Sequence, residues 1–305
     1  MVANTMNTTA AAITVRHSLF RPEQLSRHYF SGQSPLMSHL LTALSMTFPK
    51  GEQFFVHSVR QVRDQVTDPQ LQADISGFIG QEAMHSQAHA QFNAAIQKED
   101  YQLHAYEQQI TNGMATLKTR SLRRQLAATV AYEHFTALIA THLLSHPSLF
   151  NGFDDNMRQL WLWHALEELE HKSVAFEVYQ QVFGNDAPSL AQRRRSMRTI
   201  SVGFVMGIAS MTKTLLWQDR KNSLLSVPKL LLNARDSYYI AEMLLKTLPY
   251  YLAYYRADFH PNHIDHQPLI EQWREQLAIN NEQIQHELKG YSRSPRAANT
   301  MWSVN

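Results

Sequence analysis

The stretch ISGFIGQEAMHSQAHAQF, residues 75–92, decides how the rest of the chain is read. Leu71, Ile75, Phe78, Phe92 and then Ala95 or Ile96 recur in steps of three and four, the period of a helix with one inward face. Glu82, His85 and His89 fall on that same face. A carboxylate buried without a partner costs several kcal/mol even after relaxation, so something must compensate it, and a metal ion does.

The arrangement repeats downstream. Met157, Leu160 or Trp161, Ala175 and Val178 form an apolar stripe interrupted by His164, Glu168 and His171. Glu52 lies between Phe48 and Phe55 on a third stripe, and Glu133 between Val130 and Ala137 on a fourth. In chain order the pattern is Glu52, Glu82-x-x-His85, Glu133, Glu168-x-x-His171. Residues three apart share a helix face, so one turn can offer a carboxylate and an imidazole to one ion. One Glu from each of two helices, with Glu-x-x-His from each of the other two, is the donor set of dinuclear carboxylate bundles. These six residues are therefore the expected ligands of two divalent ions: iron first, as Fe/Fe or Fe/Mn, or zinc if the chemistry is hydrolytic. His89 and His164 are extra ligands or orient their neighbours, and Glu167 rivals Glu168. His260, His263 and His266 flank Pro261 and Asn262 and read as a surface turn.

Around these turns the spacing predicts an all-α, ferritin-like four-helix bundle with additional C-terminal helices. The first stripe runs from Leu41 to Val66, with Pro49 and Gly51 expected to kink the helix or start another. The second helix begins at Asp68-Pro69 and runs to about Lys98; the third spans about Ser121 to Leu144; the fourth spans about Asp154 to Phe183. The connection 99–120 is long enough to cross from one end of the bundle to the other. In domain terms, 1–22 is a disordered lead-in, 23–185 the metal-binding bundle, 186–288 an accessory helical layer of the same domain, and 289–305 a flexible tail.

With 305 residues and 44% hydrophobic content, the chain can bury a sizeable core. A formal net charge of +2 argues against nucleic-acid binding. Having no cysteine, the chain has no disulfides, thiolate nucleophiles or iron–sulfur clusters, and its 16 histidines leave imidazole and carboxylate as metal donors. No phosphate-binding glycine loop, G-x-S-x-G elbow or H-E-x-x-H helix occurs. Arg193, Arg194, Arg195 and Arg198 precede an apolar run from Ile200 to Trp217 that carries Gly203-x-x-x-Gly207 and is followed by Arg220 and Lys221. The run is short for a span, so a buried helix packed through its glycines is expected first, and association of 193–221 with a membrane surface second.

The segments FPKGEQFFVHSVR, FIGQEAMHSQAHAQFN, AYEHFTA, WHALEELEHKSVAFEVY and YYRADFHP carry a resemblance, over residues 20 to 285, to the bacterial family called predicted metal-dependent hydrolases, a ferritin-like helical group. The resemblance implies hydrolysis. The carboxylate-rich donor set instead resembles dioxygen-activating sites, so the first expectation is an oxidase or oxygenase of an apolar or lipid-like substrate, needing O2 and an electron donor. The alternatives are a hydrolase using the same two ions to activate water, and a storage or structural bundle without catalysis. A cytoplasmic location, with membrane association through 193–221, and a homodimer complete the expectations.

Overall fold

Pro49 does not end the first helix. A computed structural model describes residues 13–21, 31, 34–97, 101–220 and 227–278, and in it α1 runs unbroken from Pro35 to Arg60. Proline lacks the N–H that would bond the carbonyl four residues back, which would leave Ser45 O unpaired. Asn93 Nδ2 donates to that carbonyl at 3.0 Å, so the interruption expected at Pro49 is filled from the neighbouring helix.

The second helix, α2 (Pro69–Gln97), starts where Asp68 Oδ1 accepts from the backbone N–H groups of Gln70 and Leu71. The third expected helix is α4 (Leu122–Ser145). The fourth is two helices, α5 (Asp155–His171) and α6 (Val174–Phe183), parted at Lys172 and Ser173. Lys172 turns away there, and its Nζ donates to Ile264 O at 2.7 Å and lies 2.8 Å from His266 Nδ1.

Two apolar clusters fill the bundle, one at each end. α1 passes from the first (Leu41, Leu44) to the second (Phe54, Phe55), and α2 passes back (Ile75, Phe78, then Ala88, Phe92). α4 runs in the same sense as α2, from Leu126 to Leu144, so the connection between them must return the chain. It does so as α3 (His104–Lys118), whose Tyr106 and Ile110 pack on the first cluster and whose Met114 and Leu117 pack on the second. Full burial of Phe54, Phe78 and Phe92 contributes roughly 1.5–3 kcal/mol each. The turns bearing Glu52, Glu82 and Glu133 lie where α1, α2 and α4 change from one cluster to the other, and the turn bearing Glu168 lies just before α5 in the first cluster gives way to α6 in the second.

Beyond the bundle, α7 (Ala187–Gln218) and α8 (Val227–Ala253) lie against α1 and α4, and a further helix, α9, occupies 267–278. Gly203 and Gly207 do not pack as expected: a Cβ at either would meet nothing within 4 Å. Among the described residues α7 is long and apolar enough to cross a membrane by length and composition, yet only 28% of its most apolar window is buried, and Val202 and Met206 are about two-thirds exposed. Its basic flank is partly used inside the protein. Arg193 is buried, stacks on Phe176, Tyr254 and Phe259 and donates to Arg256 O, while Arg194 donates to Tyr255 O.

Residues 13–21, read from the sequence as part of a lead-in, lie as a strap across α2 and α5. Gly77 and Gly80 make room for it, since a Cβ at either would overlap Ile13 or Val15. Phe20 is buried in the first cluster. Residues 1–12, the tail 289–305 and Lys221 lie outside the described residues.

Candidate metal centre

Between the two apolar clusters, α1, α2, α4 and α5 each turn one glutamate inward. Glu52, Glu82, Glu133, Glu168, His85 and His171 are all buried and come together in one layer. His171 Nε2 stands 3.3 Å from Glu82 Oε1, 3.4 Å from Glu133 Oε2 and 3.4 Å from Glu168 Oε2. On the other side, His164 Nε2 is 2.8 Å from Glu168 Oε1 and 3.7 Å from Glu52 Oε1, and His85 Nδ1 is 3.9 Å from Glu168 Oε1. Glu168 thus turns one oxygen toward each half.

Among the described residues, three groups have donor atoms close enough to share an ion: Glu82, Glu133 and His171; Glu52, His85 and His164; and Glu82, His85 and Glu168. Both carboxylate oxygens of Glu52, Glu82 and Glu133 are buried without a hydrogen-bond partner, as are Glu168 Oε2, His85 Nδ1 and His171 Nε2. Buried polar atoms are ordinarily paired, and orphans gathered at one point and all able to donate electron pairs fit a cation.

The imidazoles are held from behind. His85 Nε2 lies 3.0 Å from Glu167 Oε2, and donation from Nε2 leaves the Nδ1 lone pair facing inward. His171 Nδ1 donates to Gln81 Oε1 at 2.9 Å, which leaves Nε2 inward. A longer chain fixes His164. Asn93 spends its amide N–H on Ser45 O, so its Oδ1 accepts from Ser45 Oγ at 2.7 Å. Ser45 Oγ then accepts from His89 Nδ1 at 2.8 Å, and His89 Nε2 accepts from His164 Nδ1 at 2.7 Å. In a neutral His164 the lone pair therefore sits on Nε2, between two carboxylates. Of the three residues left open by the sequence, His164 faces the centre, His89 orients it, and Glu167 orients His85.

Electrostatics agree with this picture. Burial, reinforced by the other carboxylates, pushes Glu52 and Glu82 well above the usual carboxylate range. Burial also raises Glu133, to about 7. Burial likewise pushes Glu168 upward, but the adjacent His164 and His171 imidazoles outweigh it and hold this carboxyl well below its ordinary value. Burial depresses His85 and His89, and at His171 the facing Glu133 and Glu168 carboxylates overcome it and raise the imidazole. A dication would relieve the mutual repulsion of these carboxylates.

Sequence reasoning missed Ser45, Gln81, Asn93, Arg16 and Glu170. Arg16 donates to Glu167 and, through both terminal nitrogens, to Glu170, which Gln81 and Arg274 also reach. None of these interrupts an apolar stripe with a charge except Glu170, three residues from Glu167 on the outer side. The trio His260, His263 and His266 surrounds a 3-10 turn at Pro261–His263, as expected, although His266 also contacts Lys172.

Aromatic rings seal the layer. Phe48 packs edge-on against His89 and His164 at 4.7 Å, Trp163 against His85 at 4.8 Å and Phe78 against His171 at 5.0 Å. Residues 14–265 match the model of a family described as predicted metal-dependent hydrolase. No curated protein and no solved structure matches the chain.

Proposed function

The chain belongs to the predicted metal-dependent hydrolase family, and from that premise we propose that the buried Glu/His layer holds two divalent ions and hydrolyses a small-molecule substrate. The observation that carries the reading is the set of orphaned donor atoms on Glu52, Glu82, Glu133, Glu168, His85 and His171. Glu82, Glu133 and His171 would hold one ion and Glu52, His85 and His164 the other, with Glu168 close to both groups. When bound, such ions supply Lewis-acid polarisation of the scissile group and a nucleophile at neutral pH.

The protein's own contribution is orientation and exclusion of water. Glu167 and Gln81 hold His85 and His171 with a lone pair inward. Ser45 and His89 set His164 with its Nε2 toward Glu52 and Glu168. Phe48, Phe78 and Trp163 keep bulk water from the layer, which strengthens every charge interaction within it. The oxidase expected first from the donor set rests on that set alone, and the family favours hydrolysis.

Elemental analysis of protein purified without added metal, combined with an aryl-ester panel assayed before and after chelation, tests the reading. About two zinc or manganese ions per chain, with activity lost on chelation and restored by metal, is the expected result. Ester cleavage indifferent to chelation would refute it. Two irons that change spectrum on exposure to O2, with no ester cleavage, would move the protein to the oxidases.

A further inference from the structure

Between α1, α4, α7 and α8 lies a cavity of about 1040 Å³ with an almost wholly aliphatic and aromatic wall. That is the upper end of the roughly 300–1,000 Å³ typical of small-ligand sites. On α7 the wall runs from Ser201 to Trp217, about 24 Å at ~1.5 Å rise per residue, so the space is long rather than round. A polar ligand would find few partners for its hydrogen-bonding groups along this wall.

One end of the cavity meets the metal layer. α1 contributes Leu36, Leu40 and Leu44, one residue per turn, and the next positions in that row are Phe48 and Glu52. A void of about 30 Å³ lies between the two regions and shares lining residues with both. Leu44, Ile139, Leu143 and Phe204 line both the void and the cavity, while the far wall of the void is His164 and Glu168. We propose that the cavity binds a long unbranched alkyl chain whose polar end lies against His164 and Glu168, so that the substrate is an ester of a long-chain acid. Its chemistry rests on the hydrolase reading above; its binding does not. In the reaction, water gives its hydroxyl to the acyl carbon and its remaining proton to the departing alcohol oxygen as the C–O bond breaks.

Two measurements on the full chain separate the two claims. The first is displacement of fluorescent dansyl-undecanoic acid by saturated fatty acids from octanoate to palmitate. Each added pair of methylenes should tighten binding on the order of ten-fold, until the cavity is filled. Ala209→Trp places an indole in the cavity from an exposed position of α7 that folding tolerates, and Ile139→Trp narrows the passage. Palmitate binding should weaken at least about ten-fold in Ala209→Trp, by the same methylene arithmetic. Uptake from dissolved palmitate, or from vesicles of dipalmitoyl phospholipid, supports the site and tells which source supplies the chain. Uptake from neither, or unchanged affinity in both folded variants, overturns it. The second measurement compares hydrolysis of p-nitrophenyl acetate and palmitate by the metal-loaded protein. Palmitate binding without cleavage of either ester sinks the hydrolase and leaves the chain site; cleavage of both without chain-length preference sinks the chain site and leaves the hydrolase.

Discussion

Loading the centre with metal should expel protons, and their number follows from the side chains that surround it. In the metal-free protein Glu133 titrates at about 7 and is half protonated at neutral pH. Glu52 and Glu82 are held well above the usual carboxylate range and His171 well above the usual imidazole range, so each retains some or all of its proton. His85 is already neutral. An ion accepts only deprotonated ligands, so at pH 7 Glu133 alone should give up about half a proton and Glu52, Glu82 and His171 should add to it, and affinity should rise at least about three-fold per pH unit there. Calorimetric titration with Mn²⁺ in two non-coordinating buffers of unequal protonation enthalpy reads the number directly. Glu133→Gln should release fewer. The sign for stability is also fixed: the folded Glu133 carboxyl lies above its unfolded value of 4.5, so its contribution falls as pH climbs from 4.5 through 7. The loss is on the order of 3 kcal/mol. The depressed histidines push the whole protein the other way, so the clean readout is the metal-free difference between wild type and Glu133→Gln, which should move in the variant's favour as pH rises. Metal affinity equal at pH 6 and pH 8, with no buffer-dependent heat, would refute the reasoning.

Removing an inward ligand should trade function for stability. Glu52→Leu deletes two orphaned oxygens and should raise metal-free stability by about 1–4 kcal/mol while abolishing binding of one ion, read by denaturant melts and elemental analysis. Glu133→Ala and His171→Ala should each lose tight dinuclear binding with the helical circular dichroism retained. Ser45→Ala and Glu167→Gln touch no proposed ion, yet each should weaken metal binding about 10–100-fold by releasing the imidazole it orients. Gly77→Ala should cost about 1–3 kcal/mol and expose residues 13–21 to limited proteolysis, because its methyl overlaps Ile13.

The inward face of each bundle helix was legible because a charge on an apolar stripe is rare and its period names the face. That reasoning found Glu52, Glu82, His85, Glu133, Glu168 and His171, which meet in one layer, and it put Glu168 before Glu167 without fixing the role of Glu167. The choice depends on which carboxyl Arg16 captures, and a contact between residues 151 positions apart leaves no trace in local periodicity. Pro49 misled for a related reason: the group that satisfies Ser45 O is Asn93, on another helix. The break after His171 was invisible because Lys172 finds its partners almost a hundred residues later. The outer helices read least well. Apolar residues on α7 were taken as evidence of burial, whereas one face lines a cavity and another faces outward.

The strap over α2 and α5 bears on the order in which the protein is completed. Residues 13–21 leave the ribosome before α5, yet they can settle only after α5 exists to present Glu167 and Glu170. The strap is therefore fastened only once a much later segment of the chain is in place. Until Arg16 docks, Glu167 lacks the guanidinium that anchors it, and Gly77 and Gly80 are not yet covered by Ile13 and Val15. If the layer takes up ions as proposed, metal supplied during synthesis, before the strap is fastened, should be incorporated faster than metal offered to the finished protein.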